Sequence, residues 1–462
     1  MTDLRTPDRS PIRQIRLNAF DMAAPGHIQQ GLWTHPRDDS AGYARLEHWT
    51  GLARLLERGL FDGLFLADVL GVYDVHEGSP DAALRGGVQV PLLDPSMLVP
   101  AMAAVTHDLG FGVTCNLAYE PPYLFARRMS TLDHLTRGRI GWNVVTGYLD
   151  SAARALGYAE QMRHDDRYDL ADEYMEGVYA LWEGSWRDDA VLRDAAGGTY
   201  TDPARVRRIE HDGRQYRIGA VHLCEPSPQR TPVLYQAGAS ERGRRFAGRH
   251  AECVFVNGTK PSIVAGLVAD LRARAAPRPL CVFVGATVVV GRTEQREARD
   301  LLADYASHAS AEATLAHASS SLGIDFSRYG MDEPVEAGPN QAVRSNVDAM
   351  ARVAGPAWTK RTLLQQSVLG SRQPPIVGDP VQVADALQSW VAEADVDGFN
   401  LSRTVMPECL QAFIELVVPV LQQRGVYKTG YAPGSYREKL FGQGPLLPAE
   451  HPAARYRDWG GA

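Results

Sequence analysis

The sequence predicts an α/β fold, a closed (β/α)8 barrel (TIM barrel) with loop insertions, and three observations carry that expectation. Short apolar runs alternate with amphipathic stretches along the 462 residues, the pattern of parallel βα units. The runs number eight, each with a helical stretch after it, as a closed barrel needs. The competing doubly wound sheet wants G-x-G-x-x-G after its first strand, whereas this chain reads Asn18-Ala19-Phe20-Asp21-Met22 there.

Taken in order, the strands are expected at Ile15–Phe20, Gly63–Ala67, Gly110–Ala118, Arg139–Val145, Pro232–Ala237, Cys253–Asn257, Leu280–Val290 and Gly398–Leu401. Helical periodicity falls between them at Tyr43–Arg58, Ser96–Asp108, Tyr123–Thr136, Arg167–Trp182, Glu241–Arg249, Pro261–Ala275, Thr293–Ala318, Pro380–Ala394 and Pro407–Arg424. Three stretches exceed the minimal barrel: 71–95, 184–230 and 319–375. Rich in Gly, Asp, Arg and Pro, they read as loop insertions on the active face of one domain spanning 1–462. The extension 425–462, with many Tyr, Gly and Pro, is expected to pack on the barrel or on a partner subunit.

Composition narrows the function. At 45% hydrophobic and 22% charged residues the chain can bury a large core. A formal net charge of −7, with no Lys/Arg stripe, argues against nucleic acid. No apolar stretch reaches membrane length and Met1 to Arg16 is polar, so a cytoplasmic protein is expected. Five scattered cysteines, without a C-x-x-C pair, argue against a disulfide framework, and the thirteen histidines show no metal-binding spacing.

In such a barrel the active site is built at the carboxyl ends of strands. That rule selects Asp68 after the second strand, Thr114 and Asn116 at the third, Asn143 and Thr146 at the fourth, and Ser240 after the fifth. The run Pro232 to Ala247 passes from an apolar strand through Gly238, Ala239 and Ser240 into a helix start. This is either a capped turn without a ligand or a phosphate cradle. Asn143, inside Ile140-Gly141-Trp142-Asn143-Val144-Val145, needs a partner or costs about 1–3 kcal/mol; it is either a structural amide or a functional one. His164 and Tyr168, four apart at an acidic helix start, share one face; they either pack on the barrel or hold a ligand at its mouth. His27, Trp33 and His35, in the loop after the first strand, are pocket candidates on position alone. The turn Val377-Gly378-Asp379-Pro380 is a second candidate anion loop.

Several segments carry a resemblance: Leu132-Asp133-His134-Leu135-Thr136-Arg137-Gly138-Arg139, Trp142-Asn143-Val144-Val145-Thr146, His164-Asp165-Asp166-Arg167-Tyr168, Ala171-Asp172-Glu173-Tyr174, Gln236-Ala237-Gly238-Ala239-Ser240 and Val417-Val418-Pro419-Val420-Leu421. In this order they resemble the bacterial-luciferase-like flavin monooxygenases, in the group of nitrilotriacetate, dibenzothiophene-sulfone and pristinamycin-synthase monooxygenases. Leu17 to Met22, Gly71 to Val75 and Cys224 to Ser227 look most like the dimethyl-sulfide monooxygenase branch.

The resemblance implies reduced FMN (FMNH2) supplied by a separate NAD(P)H:flavin reductase, and O2-dependent oxidation of a small organosulfur (C–S) or amine/aminocarboxylate (C–N) substrate. It implies that Asp68, Thr114, Asn143, His164, Tyr168, Ala239 and Ser240 contact FMN, with Ser240 at the phosphate and Asn143 and Thr114 beside the edge where O2 reacts. His27 and His35, with Trp33, are expected on the substrate side. No metal is expected, and a homodimer or homotetramer is. A flavin- or deazaflavin-dependent reductase on the same barrel, and a non-catalytic flavin-binding protein, are the alternatives. Gly147 stands where the family most often has Ser, and Asn116 where relatives carry a small residue.

Overall fold

Eight parallel strands close on themselves in the computed structural model, which describes residues 13–238, 240–335, 358–370 and 374–459. They are β1 Arg16–Met22, β2 Gly63–Ala67, β3 Gly110–Asn116, β4 Ile140–Val145, β5 Val233–Gln236, β6 Cys253–Val256, β7 Cys281–Val290 and β8 Gly398–Ser402. Each pairs with the next in sequence, and β8 returns to β1 with Gly398 opposite Arg16 and Ser402 opposite Phe20. Strands covered by helices outside and side chains inside are buried on both faces, which is why they read as continuous apolar runs.

The outer ring is α1 Leu46–Arg58, α2 Pro95–Ala103, α3 Pro122–Thr136, α4 His164–Tyr179, α5 Glu241–His250, α6 Pro261–Ala275, α7 Pro380–Ala394 and α8 Glu408–Ala412, the last continuing through a π-type turn into Val418–Gln423. Local chemistry sets several starts. Asp94 accepts the Ser96 amide at 2.8 Å ahead of Pro95, and Ser240 caps α5. Helix α2 stops short of Asp108 because the buried guanidinium of Arg139 takes the carbonyls of Ala103 and Thr106.

Two expectations of organisation change. The helix read over Thr293–Ala318 is two helices, Gln295–Ser307 and Ala311–Leu322. Ser310 breaks it, since its side chain caps the second helix and its amide is drawn to Gln30 O at 2.9 Å. The segment 184–230, expected on the active face, follows α4 and feeds β5, so it lies at the amino ends of the strands. There it forms two hairpins, Val191–Asp194 with Thr199–Thr201 and Ile209–Asp212 with Arg217–Ala220. The segments 71–95 and 319–375 do leave carboxyl ends, of β2 and β7; 336–357 and 371–373 lie outside the described residues.

The barrel interior is aromatic and its amino end is plugged by the extension. Phe65, Tyr235, Phe283, Cys253 and Cys281 pack with Tyr436 and Leu440. The Tyr436 hydroxyl bonds that of Tyr235, and its ring occupies the space a Cβ would need at Gly110. Beside it Arg437, 2% exposed, makes a fork to Glu252 at 2.7 and 3.0 Å and takes the carbonyls of Thr231 and Pro232. Among the described residues no helix is long and apolar enough to cross a membrane.

Candidate active site

The carboxyl ends of the strands open into a cavity of about 290 Å³. Phe20, Met22, Phe65, Val145 and Phe255 make its walls apolar, while Asp68, Thr114, Asn143 and His27 bring polar atoms to it. The barrel register produces this convergence, because Thr114 on β3 lies opposite Asn143 on β4.

Asn143 donates its Nδ2–H to Thr114 Oγ1 at 3.0 Å, and its buried Oδ1 has no hydrogen-bond partner. The amide is therefore tied to a side chain rather than to neighbouring backbone, with an acceptor left facing a cavity at the usual cost of about 1–3 kcal/mol. Burial, followed by the charge of Asp94, pushes the Asp68 carboxyl up to about 7, against the Val69 amide and Arg128. His27, 3% exposed, sits edge-on to Phe20 with ring centroids 4.4 Å apart, and its Nδ1 is unpaired. Burial, then Arg403 and His317, hold its imidazole well below the ordinary value, so it stays neutral at pH 7.

At the rim the strand-to-helix turn after β5 is capped and flanked by polar side chains. Ser240 Oγ accepts the Gly243 amide at 3.0 Å and lies 3.3 Å from His164 Nε2, whose other ring nitrogen is 2.7 Å from Asp165. The His164 and Tyr168 rings meet at 5.2 Å, as their i, i+4 spacing requires, and the Tyr168 hydroxyl lies 3.4 Å from Gln236 Nε2. Any Cβ on Gly238 would collide with the Gln236 amide and stand 2.8 Å from the Tyr168 hydroxyl. Ala237, which leads from β5 into this turn, lines the cavity, so the turn borders the chamber. Ala239 lies outside the described residues.

Besides these rim residues, five sequence candidates do not line the cavity: Asn116, whose Oδ1 accepts the Ala118 amide at 2.8 Å, Thr146, His35, Trp33 and the turn at Gly378. His35 is buried away from the cavity, with Nε2 3.1 Å from Asp304 and Nδ1 accepting the Arg37 amide. His35, Asp304 and His308 are close enough to share a cation, but that amide keeps the proton on His35 Nε2, and the Arg37 guanidinium already holds the same carboxylate oxygen at 3.0 Å. Trp33 is 37% exposed and donates to Gly86 O at 2.9 Å. The turn at Gly378 is self-capped: Asp379 puts its own carboxylate on the Val381 and Gln382 amides, where an anion would sit.

Sequence reasoning missed a polar wall. Tyr73 donates to Gln89 Oε1 at 2.8 Å and lies 2.7 Å from the Tyr148 hydroxyl. Gln89 donates to His27 O at 3.0 Å and lies 3.2 Å from His317 Nε2. Gln89 holds φ at +53°, a left-handed conformation unusual for a non-glycine residue and common at functional sites. The only local signal was Gly86-Gly87 before it.

The luciferase-like monooxygenase family profile matches residues 22–398. The long-chain alkane monooxygenase of Geobacillus thermodenitrificans is 48% identical over 96% of this chain and 98% of its own, and its crystal structure superposes with a TM-score of 0.87. The dimethyl-sulfide monooxygenase of Hyphomicrobium sulfonivorans is 46% identical over 96% of this chain and 94% of its own, and its crystal structure superposes at 0.90. A riboflavin lyase, crystallised with modified FMN and riboflavin, is 37% identical, covers 96% of this chain and all of its own, and superposes at 0.89. Matched along most of its length by the family profile and end to end by such relatives, the chain belongs to the luciferase-like monooxygenases.

Proposed function

We propose that the chain is the oxygenase component of a two-component system that binds reduced FMN and uses O2 to oxidise a small, uncharged organic substrate. The observation that carries the reading is that Ala237, which leads into the Ser240 turn, lines the Asn143 chamber, so a phosphate held at that turn would sit beside a space for a flat ring. Gly238 lets backbone approach an anion, Ser240 and His164 offer hydrogen bonds, and the start of α5 favours negative charge. Bound there, reduced FMN supplies the reaction with O2. The protein's part is to orient, through the Asn143 carboxamide, the Thr114 hydroxyl and Asp68, and to exclude water with Phe20, Phe65 and Phe255.

Neutral His27 and the Tyr73–Gln89–His317 wall form the substrate side. No Lys or Arg lines the cavity among the described residues, which disfavours an aminocarboxylate; two of the relatives are named for an alkane and for dimethyl sulfide, both uncharged. A cytoplasmic location and self-association belong to the same reading.

The test is reductase dependence. The pure chain should be nearly inactive with NADH and O2, and should gain substrate-dependent O2 uptake when an NAD(P)H:flavin reductase and FMN are added. Robust NADH oxidation by the chain alone would sink the proposal, and anaerobic hydride transfer to the substrate would assign a reductase instead.

A further inference from the structure

At the opposite end of the barrel two cysteines face each other. Cys253 on β6 is in register with Cys281 on β7, and both belong to the interior packing around Tyr235, Phe283 and Tyr436. Neighbouring strands run about 4.8 Å apart, within the 4.4–6.8 Å that disulfides span between Cα atoms. The remaining cysteines have no such neighbour: all five thiols are free, and Cys115, Cys224 and Cys409 stand on other elements.

The surroundings of the two sulfurs differ. Cys253 is 0% exposed, and burial together with the adjoining Cys281 holds its thiol well above the ordinary value. Cys281, at 5%, lines a cavity of about 350 Å³ that opens beside the extension's Leu440 and Phe441. Three guanidinium groups line the same cavity, those of Arg16, Arg272 and Arg278, against one carboxylate, Asp397. Burial works against the charge on Arg16, yet its guanidinium is held above the ordinary value with Cys281 foremost among the groups that favour it. A thiol beside clustered cations and reachable from a cavity has the features of a reactive cysteine, and its buried neighbour is placed to resolve it.

We propose that Cys281 and Cys253 form a redox-active pair that a hydroperoxide converts to a disulfide across β6 and β7. The Cys281 thiolate attacks one peroxide oxygen, giving Cys281–S–OH and hydroxide. The Cys253 sulfur then displaces the hydroxyl, releasing water and closing the S–S bond. Overall two thiols lose two electrons and two protons, and one hydroperoxide is reduced to water and, for an organic peroxide, the alcohol. An oxygenase that releases hydrogen peroxide when it runs without substrate generates the oxidant itself. That source rests on the function proposed above, whereas the thiol chemistry does not. The crosslink would brace strands that carry Phe255 of the active cavity and Phe283 beneath it.

The full chain, without flavin, is treated with hydrogen peroxide, alkylated after unfolding and mapped by mass spectrometry without reduction. The expected result is a Cys253–Cys281 crosslinked peptide that forms at least about tenfold faster than Cys115 is lost and is reversed by dithiothreitol. Cys281→Ser should abolish it, and Cys253→Ser should leave a sulfenic acid at Cys281 that dimedone traps. If either variant fails to accumulate, mapping of the unaltered chain decides alone. The proposal is overturned if peroxide that already oxidises Cys224 in the folded protein leaves both thiols reduced, so that both are alkylated once the chain is unfolded, or if the crosslink appears only after the circular dichroism signal of the fold is lost. Because the peroxide is added and no flavin is present, this outcome is independent of reductase dependence.

Discussion

Replacing Ser240 with alanine removes one oxygen that accepts the Gly243 amide at 3.0 Å and stands 3.3 Å from His164. Loss of the cap alone costs about 0.5–2 kcal/mol of folding stability and leaves cofactor affinity unchanged. If the same hydroxyl bonds the FMN phosphate, Ser240→Ala also loses a hydrogen bond to a charged group. That is worth about 1.5–3 kcal/mol, a 10- to 150-fold rise in Kd. The phosphate group itself discriminates the two cases. Anaerobic titration with reduced FMN and with reduced riboflavin, alongside thermal unfolding of the ligand-free protein, reads both quantities. The expected variant has a lower Tm and has lost most of its preference for FMN over riboflavin. A lowered Tm with the preference intact would refute the phosphate role. It would also send the search elsewhere than the Gly378 turn, whose amides Asp379 already occupies.

Asn143→Ala should keep FMN affinity within about tenfold while sharply lowering product formed per O2 consumed, measured with an oxygen electrode and peroxide assay; undiminished coupling would make Asn143 a structural amide. Between about pH 4 and 7 Asp68 keeps a proton in the folded state, with its carboxyl raised to about 7, that the unfolded chain releases near the ordinary carboxyl value of 3.8. Its contribution is therefore present below about pH 4 and lost as pH rises to about 7, so Asp68→Asn should gain on the parent by up to about 4 kcal/mol across that window. Urea unfolding at both ends checks this, and parallel pH profiles would refute it. Arg437→Met leaves Glu252 buried without its fork and should cost about 3–5 kcal/mol by denaturant unfolding; a loss under 1 kcal/mol would mean the pair does not hold the extension.

The barrel was legible because its strands are buried on both faces and bounded by turn residues; Gly63–Ala67 and Pro261–Ala275 have the ends read from sequence. Where α4 and β5 are joined by 184–230, composition suggested an active-face loop, although a segment that leaves a helix and enters a strand must lie at the amino end. Asn143 stood out as a polar residue interrupting an apolar run, and Thr114 through its place at the carboxyl end of a strand, both local signals. Gln89, Tyr73, Tyr148 and His317 did not, because each comes from a loop or helix with its own bland sequence and only the fold brings them together. His35 was misleading for the converse reason. Its partner Asp304 is 269 residues away and satisfies it outside the cavity.

The plug formed by Tyr436 and its neighbours bears on how the chain is made. A ribosome adding about 5–20 residues per second finishes β8 at Ser402 some 2 to 8 s before it reaches Phe441. Through that interval all eight strands exist, yet the interior beside Gly63 and Gly110 lacks the ring that fills it, and Glu252 lacks Arg437. The nascent barrel is thus an incomplete folding unit with an open, wettable base until translation has supplied its stopper. A message broken between codons 402 and 436 yields a product that cannot seal itself and that proteolysis can distinguish from the finished protein.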